Sequence, residues 1–172
     1  MITEIEGIKV GHWTDSVAQT GCTVILFPEE TIASGEIRGG APATRDFALL
    51  EPTRTVEKIN AVVLSGGSAF GLSACSGVME FLEESNIGFS TSAGKVPIVV
   101  GLSLFDLGNG SAMVRPGHQE GKEAAVVASS TMQLGRVGAG SGATVSKWRG
   151  KEFSELGGLG CSTLREGDLI VS

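Results

Sequence analysis

The feature that most narrows the possible folds is the run Ala61-Val62-Val63-Leu64, which is apolar without alternation and passes straight into Ser65-Gly66-Gly67-Ser68 and then into a helical pattern. A strand with no polar face is expected to be covered on both sides, as in layered α/β proteins. From Ala69 to Glu84 the apolar residues Phe70, Val78, Met79 and Leu82, with the small Ala74 and Cys75, return every three or four positions. That spacing predicts a helix with one buried stripe, its Glu80, Glu83 and Glu84 facing water. Strand, glycine turn and helix together predict a layered α/β (or α+β) domain with helices covering one face of a sheet.

The remaining segments fit that frame. Gly7–Trp13 and Thr20–Phe27 carry short β-branched runs bounded by turn formers and read as neighbouring strands. Thr31–Arg38 alternates loosely and enters Gly39-Gly40-Ala41-Pro42, which demands an irregular loop, and Asp46 is placed to cap a short turn through Leu50. Val96–Val100 reads as a second buried strand, and Glu120–Met132 as a helix preceded by Gly117 and His118. Beyond Gly135, glycine clusters alternate with the short strands Ala143–Trp148 and Leu169–Val171, the last expected to leave its ladder groups without a partner, as in an interrupted chain. No repeat or linker divides residues 1–172, so one domain is expected. The 26 glycines are about twice average usage and lack any fixed period, so they must serve turns and close backbone approaches.

Thirteen basic against nineteen acidic residues leave a net charge of -6, which offers no electrostatic footprint for nucleic acid. Apolar runs fall far short of the ~20 residues that cross a bilayer, and the N-terminus carries acids where a signal peptide needs bases. A soluble, cytoplasmic protein with no membrane partner is expected. Cys22, Cys75 and Cys161 are widely separated among apolar or small neighbours and read as buried thiols. With only His12 and His118 beside them, neither a metal nor a cofactor is implied.

Two glycine-rich segments carry candidate chemistry. In Ser65–Gly71 the amides converge where a helix begins, a position suited to an oxyanion or carboxylate, so Gly67 and Ser68 are candidate substrate contacts; a purely structural tight turn is the competing reading. The glycine spacing is not that of a dinucleotide site, no P-loop lysine follows, and Phe70 stands where a nucleophile elbow needs glycine. In Val137–Trp148 the residue of interest is Lys147, flanked by small residues and Trp148, where partial burial would suit it to proton transfer or to holding a developing charge; a solvated lysine is the plainer alternative. Phe105-Asp106 follows an apolar strand and could place a carboxylate at the sheet edge, the plainer reading being an Asx-type turn into Gly108-Asn109-Gly110; His12 and His118 form no triad with any evident serine and acid.

Several blocks in order across nearly the whole chain resemble the L-aminopeptidase/D-esterase family (peptidase family S58), which includes β-peptidyl aminopeptidases and nylon-oligomer hydrolases. They are Gly7–His12, Thr20–Ile25, Glu36–Pro42, Ala61–Leu72, Val96–Val99, Leu104–Leu107 and Val137–Gly140. The resemblance implies an α/β/β/α sandwich similar to N-terminal-nucleophile hydrolases with different connectivity, incomplete in these residues. It also implies a precursor that cuts itself before a Ser or Thr. The new α-amine then serves as a base of near-neutral pKa beside the hydroxyl it activates. The nucleophile would belong to a β subunit beyond Leu169–Val171, Lys147 would match a catalytic lysine, and a substrate-contacting Tyr of several members falls on Phe105, where the hydroxyl is lost.

The resemblance therefore implies an aminopeptidase or amidohydrolase that releases N-terminal residues from small peptides, amides or esters. The β subunit from the same precursor would be its partner, and αβ units would assemble into a homo-oligomer. Two other readings stand beside it: an acyltransferase of the ornithine acetyltransferase type, and a non-catalytic binding or assembly homologue.

Overall fold

A computed structural model describes residues 1–172. In chain order its elements are β1 (Lys9–Asp15), β2 (Thr20–Leu26), β3 (Ala43–Arg45), β4 (Ala61–Ser65), α1 (Ala74–Glu84), β5 (Phe89–Thr91), β6 (Gly94–Val96), β7 (Val99–Ser103), α2 (His118–Val126), β8 (Thr144–Val145), β9 (Glu155–Leu156), β10 (Leu164–Glu166) and β11 (Leu169–Val171). Five of them form one mixed sheet in the order β1-β2-β4-β7-β3, antiparallel throughout except for the parallel pair β4/β7. The turn between β1 and β2 is set by Asp15, whose carboxylate accepts the Val17 and Ala18 amides at 3.0 and 2.7 Å.

The α/β class expected from the pattern is what the chain adopts, and of the four layers of the sandwich it contains one helical layer on one five-stranded sheet. Cys22, Val24, Ala61, Val63 and Val99 rise from the sheet to meet Ala74, Cys75, Val78 and Leu82 of α1 and Ala124 and Ala125 of α2, all essentially excluded from solvent. Non-directional burial of apolar area drives this contact, and glycines decide how close it becomes. A Cβ at Gly77 in α1 would collide with the His118 carbonyl, one at Gly121 in α2 with the Ala74 carbonyl, and one at Gly11 in β1 with the Ala124 carbonyl. The helices thus touch backbone to backbone, and α2 lies directly on β1. On the outer side, the Lys122 ammonium bridges Glu80 and Glu84 at 2.7 Å each, and this contact holds the Glu80 carboxyl below the usual carboxylate range.

Both helices are shorter than their patterns predict, for local reasons. The predicted first turn of α1 is a 3-10 segment, Ser68–Ser73, that follows left-handed φ values of 80° and 56° at Gly67 and Ser68. Three residues per turn rotate Phe70 off the buried stripe; it is 59% exposed, with the Arg115 guanidinium 4.1 Å above its ring. At its start α2 is capped by Glu120, whose carboxylate accepts the Gly117 amide at 2.8 Å. It ends before Met132 because Ser129 exchanges backbone hydrogen bonds with Val10 of β1, at 2.9 and 3.1 Å.

The other face of the sheet is less covered. Ala61 and Val63 are buried against the helices as predicted, whereas Val62 and Leu64, with Ile25 and Leu102, point away from them and are half-buried. Leu50, Ile59, Ile98 and Val100 cover part of this face and a 3-10 turn at Gly138–Gly140 covers another. There the Ala139 amide donates to Thr23 Oγ1 at 3.1 Å, and the same hydroxyl shares a hydrogen bond of 3.0 Å with His12 Nδ1. Nε2 is buried without a hydrogen-bond partner, and burial lowers the His12 pKa, opposed by the Gln133 backbone.

Two expectations change at the periphery. The strand Leu169–Val171 does have a ladder partner, because it folds back on Leu164–Glu166 as an antiparallel hairpin. Cys22 and Cys75 are buried, and desolvation pushes their thiols up to about 12 and about 11, but Cys161 is only half-buried. A hydrogen bond with the Ser172 hydroxyl, aided by the Ile2 amide, holds the Cys161 thiol below its usual value. No helix is long and apolar enough to cross a membrane.

Two outcomes are expected from this architecture. Gly121→Ala forces a methyl into the α1 backbone and should lower the unfolding free energy by about 2–3 kcal/mol in urea titrations. His12 has a folded-state pKa below its ordinary value of 6.5, so the unfolded chain binds the proton first. Its contribution is present above pH 6.5 and is lost as pH falls through the folded-state pKa, and His12→Asn should flatten the stability profile in that acidic window.

Candidate active site

The site grows from the glycine turn at the end of β4. Each amide of that turn has an acceptor inside the chain: Gly66 donates to the Gly21 carbonyl at 2.8 Å, Ser68 to the Leu104 carbonyl at 3.0 Å, and Gly67 to Asp106 Oδ1 at 2.6 Å. The other carboxylate oxygen, Oδ2, accepts the Thr20 hydroxyl at 2.7 Å. Asp106 is 2% exposed. The turn suited to a carboxylate therefore holds one belonging to the chain itself. Glycine is required around it: a Cβ at Gly66 would strike Asp106 Oδ2 and Thr20 Oγ1, and one at Gly142 would come 2.7 Å from the Asp106 Cβ. Ser103 stitches the same corner, its hydroxyl donating to the Ser68 carbonyl at 2.6 Å.

Immediately beside this carboxylate, Phe105 turns outward and is 67% exposed. In place of the expected Asx-type turn, the Asp106 carboxylate points inward and the chain turns on a main-chain bond from the Asn109 amide to the Asp106 carbonyl at 2.8 Å, while the Asn109 side-chain Nδ2 donates to the Gly142 carbonyl at 2.8 Å. That second bond fastens the turn to the glycine-rich segment that carries Lys147. The strand predicted for Ala143–Trp148 is cut short, because β8 spans only Thr144–Val145 before Ser146 adopts a left-handed φ of 63° and two 3-10 turns follow, Lys147–Arg149 and Lys151–Phe153. Pairing of β8 with β9 closes this loop, and the Arg149 guanidinium lies 4.8 Å over the Phe153 ring.

Phe105 and Lys147 consequently line one cleft of about 300 Å³, together with Gly108, Asn109, Thr144, Lys151 and Ser154. Gly67 and Ser68 do not line it; they stand behind it, joined through Asp106 and Leu104 to the segment that presents Phe105. Lys147 is exposed and Trp148 beside it is 87% exposed, so the partial burial expected of this lysine is absent from these residues. Lys58 and Lys122 pair with carboxylates; Lys147 and Lys151 do not, and of the unpaired lysines these two line the cleft, free to meet a ligand. A shallower apolar hollow of about 260 Å³ lies on the open sheet face between Leu64, Leu102, Leu104, Ala139, Ala143 and Leu159. Sequence reasoning weighs Asp106 as a sheet-edge carboxylate or a turn former without finding its buried role, and it misses Lys151, to which the close run Lys147, Arg149, Lys151 in an acidic chain is the signal.

Comparison with known proteins agrees with this placement of elements. The sequence profile of peptidase family S58 matches residues 1–162. The chain is 40% identical over 157 residues to an uncharacterized aminopeptidase of Mycobacterium tuberculosis, covering 87% of this chain and 46% of that protein. It is 28% identical over 174 residues to a 6-aminohexanoate-oligomer endohydrolase of Kocuria sp., covering 98% of this chain and 45% of the relative. Among solved structures, the L-aminopeptidase D-Ala-esterase/amidase of Ochrobactrum anthropi, described as a variant of the Ntn hydrolase fold, superposes with a TM-score of 0.64 at 18% identity over 82% of this chain and 43% of that chain. The chain spans about half the length of the curated relatives it matches.

Removing the buried carboxylate strands two donors, each costing about 1–3 kcal/mol. Asp106→Ala should therefore lower the unfolding free energy by about 3 kcal/mol or more, and Thr20→Val, which removes one donor with its bond, by about 1–2 kcal/mol, both read from urea midpoints.

Proposed function

The chain belongs to peptidase family S58, and we propose that it is the part of a self-cleaving amide hydrolase that builds the wall of the active site while a downstream β subunit of the same precursor supplies the nucleophile. The observation that carries this reading is the cleft in which Lys147 and Phe105 meet beside a half-covered sheet. The cleft has two unpaired lysines, hydroxyls and an amide, but no serine or cysteine paired with a base. The adjoining apolar hollow and the half-buried Ile25, Val62, Leu64 and Leu102 offer a second sheet a surface to bury. A partner sheet seated there would bring its own terminal residue to the mouth of the cleft.

In this reading the chemistry is acyl transfer to water. A Ser or Thr freed by the self-cleavage attacks the amide carbonyl, its own α-amine takes the hydroxyl proton, and the acyl-enzyme that forms is hydrolysed. Lys147, seated on the loop between β8 and β9, stabilises the charge that develops on the carbonyl oxygen or holds the leaving group. Closure by the β subunit would remove Lys147 from bulk water and strengthen that interaction. Substrates would be short peptides, amides or esters with a free N-terminus; the similarity to an aminopeptidase supports the free N-terminus, and that to a 6-aminohexanoate-oligomer endohydrolase supports amide cleavage in general. A cytoplasmic location, supported by three free thiols, and assembly of αβ pairs into a homo-oligomer, supported by the exposed Val126 and Val127 at the end of α2 and just beyond it, belong to the same proposal.

Expression of the full-length gene product should yield two fragments by mass spectrometry and release p-nitroaniline from aminoacyl p-nitroanilides. An uncut, inert product would refute the assignment, and preferential transfer of the acyl group to an added amine over water would move it to the acyltransferase class. Lys147→Met in the processed enzyme should lower kcat by about 100-fold or more while leaving the fragments assembled.

A further inference from the structure

Lys151 lines the same cleft as Lys147, and nothing in the chemistry proposed above uses it. In a chain of net charge -6, Lys147, Arg149 and Lys151 fall within five residues, and they are not equivalent. Arg149 is engaged with the Phe153 and Trp148 rings at 4.8 and 5.7 Å. Lys147 and Lys151 both border the 300 Å³ space, and neither is paired with a carboxylate. The Lys151 ammonium lies against Gly108, where an added Cβ would sit 3.4 Å from Nζ. It therefore sits on the Phe105–Asn109 side of the cleft, across from the strand that leads into Lys147.

The rest of the lining has the same preference. Thr144 and Ser154 bring hydroxyls, Asn109 brings an amide already oriented by the Gly142 carbonyl, and Phe105 brings a flat apolar wall. No acidic side chain lines the space; the Glu152 carboxylate of the same loop is turned onto Gly150 instead. Two free ammonium groups, flanking hydroxyls and one aromatic wall form a receptor for a carboxylate attached to a short carbon chain.

We propose that Lys151 is a specificity-determining residue that binds a carboxylate of the substrate, so that the preferred substrates are short peptides bearing a free carboxylate close to the scissile amide. This deepens the hydrolase reading and rests on it for the word substrate; the carboxylate site itself stands on the cleft. The division of labour follows from position: Lys147 acts at the reacting carbonyl, and Lys151 grips the charged end a few atoms away, which fixes the distance between the two. The carboxylate is either the C-terminus of a dipeptide or an acidic side chain.

The test compares the full-length processed protein with its Lys151→Met and Lys151→Arg variants on three compounds: alanyl-alanine, alanyl-alanine amide and alanyl-glutamic acid α-amide, whose only carboxylate is on the side chain. The wild-type protein should favour at least one carboxylate-bearing compound over the neutral amide by about tenfold in kcat/KM, and which one it favours identifies the source of the carboxylate. Lys151→Met should abolish that ratio through KM, and Lys151→Arg should restore most of it. Equal use of all three compounds by the wild type, or a ratio that survives in Lys151→Met, overturns the proposal. If none of the compounds is hydrolysed, the hydrolase reading is what fails, and binding of glutarate measured by calorimetry decides the site independently. Millimolar binding that is lost in Lys151→Met supports it, and no binding, or binding that persists in the variant, overturns it.

Discussion

A single buried carboxylate organises the end of this molecule where its chemistry is expected. Asp106 takes a hydrogen bond from the Gly67 amide and another from the Thr20 hydroxyl, and three segments distant in sequence meet around it: the start of β2, the turn after β4 and the glycine-rich stretch at Gly142. A charge withdrawn from water is costly unless its partners are well placed. The surrounding glycines are what permit those partners to come close enough, since a methyl group at Gly66 would occupy the carboxylate's place and one at Gly142 would strike the Gln19 carbonyl and crowd Asp106. Phe105 and Lys147 then share one cleft because the Asp106 turn and the Asn109 side chain bind their two carriers together.

How much of this is legible in the sequence depends on how local the cause is. The strand at Ala61–Ser65 and the buried positions Ala74, Cys75, Val78 and Leu82 can be read directly, because a continuous apolar run and a three-to-four spacing are consequences of burial along one element. Phe70 fits that spacing and is nonetheless exposed, because the left-handed residues ahead of it tighten the first turn, and periodicity does not report handedness. The end of α2 is decided by Val10 in β1, a residue that no window around Ser129 contains.

The site shows the same division. Lys147 and Phe105 are found through ordered motif blocks, and the fold brings them into one space. Gly67 and Ser68 are also found, but their amides are directed at Asp106 and Leu104, so their role in these residues is to hold the frame. Asp106 itself looks like a surface turn former, since nothing adjacent to it in sequence reveals the hollow that distant glycines open. Lys151 looks like one solvated cation among several until pairing of β8 with β9 folds its loop over Gly108.

The backbone contact between α1 and α2 at Gly77 and Gly121 has a mechanical corollary. Helices separated by side chains can slide past one another by small rotamer adjustments, but here any shear along the axes would drive a Cβ-bearing neighbour into a peptide group. The helical layer and the four strands β1, β2, β4 and β7 beneath it thus behave as one stiff plate with a unique registry. The Lys147–Phe153 loop stands outside that plate, joined to it by the two-residue β8/β9 ribbon and the Asn109–Gly142 bond, so an adjustment to a ligand falls on the loop before it falls on the helices.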